Sequence, residues 1–405
     1  MKACGIIVEY NPYHNGHLYH AQESRKLSNA DCIIAVMSGQ FLQRGEPAII
    51  DKWHRAKAAL QSGVDLVIEL PYLYAVQHSD FFSKGAVEVL GASGAEAICF
   101  GSEQGTIEPF LNAYKQLHIH GPHYQWELKK ALGEGISFPN AARRAQQAIG
   151  LDKEAIDFSS PNNILGYSYV KQILTSFPSI EPMTIKRKES QYHDTEISGK
   201  MASATSLRKQ ILETEDIDEN VRSSIPKSTI EQLYLYKEQA GLWHNWELYF
   251  SLLYYKLCTL SHEQLRRYHG VDEGLEYRLK EFAASSLSFQ HFMKRIKTKR
   301  YTWTRLQRTC AHILTGLEKE EADRQLDTPL PYIRVLGMNE TGQRYLSRQK
   351  KHLDLPLFTQ PQKFEEHPLL SIEKRASVTY YSPLAAKKRI RLSHSEFGPP
   401  VRIID

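Results

Sequence analysis

Gly5-Ile6-Ile7-Val8-Glu9-Tyr10-Asn11-Pro12-Tyr13-His14-Asn15-Gly16-His17 is the stretch from which the fold is read. Ala3 to Val8 is an apolar run short enough for one buried strand. Glu9-Tyr10-Asn11-Pro12 breaks the run and must be a loop, because proline cannot continue a central strand. Beyond His17, the positions Leu18, Ala21, Ser24 and Leu27 recur at helical spacing. The motif HxGH, His14 to His17, therefore lies between a first strand and a first helix. That setting gives each residue a physical task. Gly16 lets the backbone approach a phosphate. His17, at a helix N-terminus, can donate to a phosphate oxygen where the helix dipole favours an anion. His14 can stabilise charge that builds up as a bond to the α-phosphorus forms and pyrophosphate leaves. Two loop histidines beside a capping glycine would be the bland reading of the same letters. The placement between strand and helix argues against it.

Working outward, the pattern repeats. Cys32–Met37 and Val64–Leu70 are further buried-strand candidates, and Ala95–Phe100 is a fourth. Helices are expected between them, over Asp51–Ser62 with Asp51 as cap, and over Ser79–Leu90 with Ser79 or Asp80 as cap. Continuous apolar strands alternating with helices predict an α/β fold with a doubly wound parallel sheet. Ligands in such sheets bind at the carboxyl ends of the strands, here Glu9–His17, Ser38–Arg44 and Gly101–Gln104.

The remaining chain divides by composition. Residues 106–150 read as a helical insertion. Pro161-Asn162-Asn163 opens a helix, Ile180–Ile185 is a short strand, and Lys186-Arg187-Lys188 stands at its carboxyl end. A polar loop, Glu189–Lys200, leads to the helix start Ser203-Ala204-Thr205-Ser206-Leu207-Arg208. Residues 228–316 have helical period almost throughout, and 327–405 carry scattered prolines. The expected organisation is a nucleotidyltransferase-like catalytic domain at 1–220, a helical region at 221–326 and a small α+β appendage at 327–405.

Composition bounds the function. A chain of 405 residues with 41% hydrophobic and 24% charged residues is long enough for two or three ordinary globular domains. Its longest purely apolar run, Cys32–Met37, is far short of the roughly 18 residues that span a bilayer. No membrane partner is expected. Five cysteines without a CxxC pair predict a reduced, cytoplasmic protein with no structural zinc. The net charge of +5 hides a split: residues 1–220 hold 21 basic against 26 acidic residues, and 221–405 hold 30 against 20. One half suits chemistry and the other a polyanion.

Hydroxyls at the helix start Ser203–Arg208, with an arginine just over one turn along, make a triphosphate clamp or an ordinary serine cap. Together with HxGH the clamp is favoured. The pair resembles the HIGH-type nucleotidyltransferase superfamily, whose second motif is similar to ISSTxxR, here with one alanine. Several further segments, Met37–Ala48, Pro161–Tyr167, Lys297–Thr302 and Pro331–Gly337, together with Gly5–His17, resemble the bacterial tRNA(Met) cytidine acetate ligase family over nearly the whole chain. The resemblance implies activation of acetate by ATP as acetyl-adenylate. It further implies transfer to the wobble cytidine of elongator tRNA(Met), giving N(4)-acetylcytidine. It implies ATP binding by Ile7, Val8, Glu9, Tyr10, Asn11, Pro12, Tyr13, His14, Asn15, Gly16, His17, Leu18, Tyr19 and His20, and by Gly101, Asn162 and Arg187. Ser203, Thr205 and Arg208 join them through the second motif, with His14 and His17 as the catalytic pair.

Lys294 to Arg308 holds seven basic residues, Lys294, Arg295, Lys297, Lys299, Arg300, Arg305 and Arg308, and no acid. Tyr301 and Trp303 interleave with them. Cations bind phosphates and rings stack on unpaired bases, so this run is the expected tRNA-binding segment. Gln40, Gln43 and Arg44 follow the second strand and are candidates for holding acetate or the cytidine, an arginine fork matching a carboxylate. Glu9, Asp80 and Glu103 are acids near the cleft that could help hold Mg²⁺, but their spacing is no metal-ligand signature. Two other readings remain open from sequence: a metabolic adenylyltransferase that makes a dinucleotide cofactor, and a non-catalytic, nucleotide-dependent RNA-binding protein.

Overall fold

The computed structural model describes residues 1–136, 138–151, 156–158, 160–187, 202–359, 367–394, 396 and 398–403. Lys188 and the polar loop Glu189–Lys200 lie outside the described residues.

Five strands form the parallel part of the sheet: β1 (Ala3–Val8), β2 (Cys32–Ser38), β3 (Leu66–Leu70), β4 (Ala97–Ser102) and β5 (Glu181–Lys186). Their order across the sheet is β5-β4-β1-β2-β3. β1 pairs with β2 on one side and β4 on the other. The chain thus winds outward in one direction and then in the other, and the reversal between β1 and β4 is where such sheets open a crevice. β2 and β3 are buried at every position, as strands covered on both faces must be.

Helices cover both faces. α1 (Asn15–Ser28) follows β1 and α2 (Lys52–Leu60) precedes β3. Asp51 caps α2 by accepting the amide of His54 at 2.9 Å. α3 (Ser79–Ala92) buries Phe82, Ala86, Val87, Val89 and Leu90 against the sheet. Its N-cap is His78, one residue before the expected cap, and no side chain caps it. Past the helical insertion come α4 (Pro161–Ser176) and, after β5, α5 (Ala204–Thr214), which Ser203 caps by accepting the amide of Ser206.

The basic run of the sequence becomes α6 (Phe289–Ile296), a loop and α7 (Trp303–Thr315). The last residues do not stand apart from the catalytic fold. β6 (Ile333–Met338) pairs antiparallel with β3, and both β7 (Leu357–Phe358) and β8 (Val401–Arg402) pair parallel with β6. The segment expected as an appendage therefore extends the main sheet, an outcome hidden by the short, polar-interrupted strands. These three strands run opposite to the five parallel ones.

A buried ionic cluster fastens this extension. Lys52 Nζ lies 2.6 Å from Glu69 and 2.7 Å from Glu396, and Arg334 Nη1 lies 2.9 Å from Glu69 and 2.7 Å from Glu396. Glu373, on α8 (Pro368–Tyr381), accepts the amide of Tyr72 in the same cluster. Two cations thus face three carboxylates. Burial and the neighbouring Glu69 push the Glu373 carboxyl up to about 8, whereas Lys52 and Arg334 hold Glu396 below its ordinary value. Glu373 is the member kept protonated, which balances the cluster.

Candidate active site

The crevice at the β1/β4 reversal is a cavity of about 690 Å³. Ile7, Val8, Glu9, His14, Gly16, His17, Tyr19 and His20 line its floor. Gly101 and Arg187 close the side beyond β4 and β5, and Asn162 comes from the first turn of α4. The site lies where the topology rule for parallel sheets puts it.

The two motif histidines are locked by the backbone they cap. His14 Nδ1 accepts the amide of Gly16 at 3.0 Å, and His17 Nδ1 accepts the amide of His14 at 3.2 Å. Each Nδ1 is an acceptor, so the proton of each neutral ring is on Nε2, free to donate. The rings stack with centroids 3.7 Å apart. Burial, with Arg187 and Arg208 nearby, pushes His14 down to about 3; burial and His14 drive His17 well below its ordinary value. Both rings are thus neutral donors near pH 7. A Cβ on Gly16 would come within 2.8 Å of the His14 ring, so only glycine leaves room for the cap. His20 is pushed down to about 4 by burial, and its Nε2 bonds the carbonyl of Cys99 at 3.1 Å.

Arg187 Nη1 donates to Asn162 Oδ1 at 3.3 Å, and Asn162 Nδ2 donates to Glu103 at 2.7 Å. Glu103 also accepts the amides of Asn162 and Asn163, so it caps α4. Glu103 is thereby committed, and Asp80 is 3.6 Å from Lys171. Among the described residues, no three acidic, histidine or cysteine side chains form a metal-binding group.

Other motif residues support the floor instead of lining it. Tyr10 and Tyr13 are buried with ring centroids 4.6 Å apart, and Tyr10 packs 4.9 Å from His17. Tyr13 donates to the carbonyl of Ser62 at 2.8 Å, and Asn11 Oδ1 accepts the amide of Ile49 at 2.8 Å. Asn15 Nδ2 donates to Ser223 at 3.0 Å. Pro12 and Leu18 are likewise not among the lining residues. Ser203 caps α5, Thr205 is exposed on its first turn, and neither is among the lining residues, nor is Arg208. Arg208 donates to the carbonyl of Asn11 at 2.8 Å and pairs with Glu46 at 2.8 Å, so it braces the HxGH loop.

Gln43 and Arg44 line the cleft, but Gln40 does not. Gln40 is buried, donating to Tyr381 OH and accepting the amide of Lys52, both at 3.2 Å. The expectation that it faces the cleft is corrected: the chain turns inward immediately after β2, and Gln40 serves the ionic core. Gln43 is held by its amide on Glu9 at 2.7 Å and its side chain on the carbonyl of Gln77 at 2.9 Å. Gly45 has φ +81, and a Cβ there would strike the backbone of Arg308 at 2.6 Å. A glycine is needed both for the turn and for the close approach of α7.

The basic run splits in two. Arg308 and Thr302 reach the cleft; Arg308 donates to the carbonyls of Gln77 at 3.2 Å and Gln43 at 3.4 Å. Burial and the neighbouring Arg305 and Arg44 push its guanidinium down to about 10. Lys294, Lys297, Lys299 and Arg300 are exposed. Arg300 pairs with Glu273 at 2.7 Å, Arg305 lies 3.8 Å from Asp272, and Arg295 donates to Ser285 at 2.7 Å. Tyr301 is buried, its hydroxyl 3.2 Å from the carbonyl of Glu273, so it has no face to offer a base. Trp303 is half-buried and donates to Gln307 at 3.0 Å.

Sequence reasoning missed Phe100, Ile185, Tyr169 and His78 on the cleft wall. The first two lie in the carboxyl-terminal halves of β4 and β5, so the carboxyl-end rule applied to every strand would have found them. Tyr169 comes from α4 and His78 from the cap before α3, and neither left such a signal.

Comparison with known proteins extends this picture over the whole chain. Residues 1–395 match the model of the HIGH Nucleotidyl Transferase family. The chain is 49% identical over 403 residues to the tRNA(Met) cytidine acetate ligase of Oceanobacillus iheyensis, covering all of both chains. It is 46% identical to that of Bacillus subtilis, covering 99% of this chain and 97% of the relative. Thermotoga maritima TmcAL bound with alpha-thio ATP superposes with a TM-score of 0.90 at 32% identity, covering all of both chains. The chain belongs to the tRNA(Met) cytidine acetate ligase family of HIGH nucleotidyltransferases.

Proposed function

We propose that this protein joins acetate to ATP as acetyl-adenylate, releasing pyrophosphate. It then transfers the acetyl group to the exocyclic amine of the wobble cytidine of elongator tRNA(Met), giving N(4)-acetylcytidine and AMP. The observation that carries the reading is the stacked, neutral His14–His17 pair, with Arg187 nearby, in a chain similar end to end to ligases of that name. The chemistry requires two stages. Acetate has a poor leaving group, and the cytosine amine is weakly nucleophilic because its lone pair is delocalised into the ring. A mixed anhydride with AMP leaves readily and overcomes both.

In this assignment Ile7 to His20 form the ATP floor, with Gly101 beside the base or ribose and Asn162 and Arg187 at its edge. The cavity volume, the bare backbone at Gly101 and the two Nε2 donors suit a triphosphate. His14 and His17 donate to the phosphates as charge develops. Arg208 supports the loop that presents them, and Ser203 caps the helix that carries Arg208. Gln43, Arg44 and Arg308 make a basic wall fit for a small carboxylate. The helical region 221–326 is the tRNA-docking half, through Lys294, Arg295, Lys297, Lys299, Arg300 and Arg305. A cytoplasmic location follows from that substrate. Among the described residues no helix is long and apolar enough to cross a membrane.

Acetate-dependent exchange of labelled pyrophosphate into ATP tests the first stage. Exchange with acetate, and none without it, is expected. Exchange driven instead by a mononucleotide acceptor would support a cofactor-forming adenylyltransferase.

A further inference from the structure

Acetyl transfer needs an acceptor for the proton that the cytosine amine loses, and the HxGH pair, committed as donors to phosphate, does not supply one. We propose that Glu9 is that acceptor: a catalytic residue that binds the amine of the incoming cytosine and takes its proton. The inference rests on the function proposed above.

Glu9 is the first residue beyond β1 and its side chain lines the cleft. Its Oε1 accepts the amide of Gln43 at 2.7 Å, and its backbone carbonyl accepts from Arg55 Nη1 at 2.6 Å. The carboxylate is thereby held through one oxygen, and the backbone that carries it is fixed by Arg55. Oε2 has no hydrogen-bond partner among the described residues, and a carboxylate oxygen can only accept. A triphosphate or acetate offers no donor and would be repelled. The cytosine amine is a donor, and a glutamate accepting from that amine is a recurring contact. Uridine presents a carbonyl oxygen at the same place, which the carboxylate would repel. One residue therefore both selects cytidine and serves its reaction.

The surroundings tune it as a base. Burial raises the Glu9 carboxyl above its ordinary value, helped by Glu46; the amide of Gln43, Arg44 and Arg208 act in the opposite sense. Arg55 of α2 and Tyr169 of α4 face it from the remaining sides. A raised carboxylate is a stronger base for a reaction run near neutrality.

The step balances. The amine nitrogen attacks the acetyl carbonyl carbon and forms the C–N bond. The bond from that carbon to the phosphate oxygen breaks, and AMP departs with the electron pair. The amine proton passes to Glu9 Oε2 and is later lost to solvent.

The test compares the two half-reactions in Glu9→Gln and Glu9→Asp. Single-turnover transfer from acetyl-adenylate formed on the enzyme to an elongator tRNA(Met) transcript is measured beside acetate-dependent pyrophosphate exchange. Glu9→Gln should lower transfer by about 10²–10⁴-fold, the usual worth of a general base. Exchange falls too, to the extent that Glu9 belongs to the ATP floor, but by at least tenfold less than transfer, and the exchange that persists shows that the variant folds. Wild-type transfer should rise with pH through one midpoint above the ordinary glutamate value. Glu9→Asp should keep that rise and Glu9→Gln should lose it. Transfer by Glu9→Gln within threefold of wild type, or an equal loss in both half-reactions, overturns the assignment. Absence of acetate-dependent exchange in the wild type overturns the function beneath it as well.

Discussion

Replacing Lys294, Lys297 and Lys299 together by glutamine should separate tRNA capture from ATP chemistry. These three lysines are exposed and form no ion pair among the described residues. Arg300 and Arg305 of the same run already face Glu273 and Asp272, at 2.7 and 3.8 Å, and have less charge to give. Withdrawing one cation from a tRNA phosphate lowers the log–log dependence of affinity on salt by about 0.7–0.9, so the triple variant should flatten that slope by roughly 2–3. Between 50 and 200 mM salt the wild type should then lose roughly 15- to 60-fold more affinity than the variant. Filter binding of elongator tRNA(Met) across that range is the assay, with pyrophosphate exchange as the control. Exchange should stay at the wild-type rate, because none of the three lysines lines the cleft. An unchanged salt slope would show that the run is only a solvated surface.

Three further outcomes follow from the site and the core. His14→Ala and His17→Ala should each slow pyrophosphate exchange by about 10²–10³-fold if each removes one donor to developing charge, and exchange kinetics check it. Arg334→Ala leaves Glu69 and Glu396 with Lys52 alone and should destabilise the fold by about 3–5 kcal/mol, read by urea denaturation. His14 and His244 are both held down to about 3 by burial, so the unfolded chain takes up protons first as pH falls below the ordinary value of 6.5. Stability is therefore complete above 6.5 and should fall by about 1.4 kcal/mol per pH unit per histidine between 6.5 and 3, which denaturation at stepped pH would show.

The parallel half of the fold was legible because β1 and β2 are uninterrupted apolar runs and β3 is broken only by Glu69, each closing on a polar residue or proline. β1 spans Ala3–Val8 as its sequence reads, and β2 runs one residue past its reading, to Ser38. The HxGH loop was legible for the same reason: it fills the only break between that strand and its helix. The antiparallel β6 was not. Arg334 interrupts its apolar pattern, and the interruption makes sense only once Glu69 and Glu396 are seen beside it. Gln40 and Gln43 show the same limit within one loop. They are three residues apart and chemically identical, yet the first serves the core and the second the cleft. The close packing of Gly45 on Arg308 fixes that turn, and it joins residues too distant in sequence for any local pattern to reveal. Arg308, read as one more cation for RNA, likewise proves to be part of the cleft wall.

The most direct test of the central claim is incubation of the protein with ATP, labelled acetate and total tRNA, followed by nucleoside mass spectrometry and mapping of the label. N(4)-acetylcytidine is expected at the wobble position of elongator tRNA(Met), with one AMP and one pyrophosphate per acetyl group and no label on a transcript carrying uridine at that position. Label in a stem, label on the uridine transcript, or pyrophosphate release that does not require acetate would contradict it.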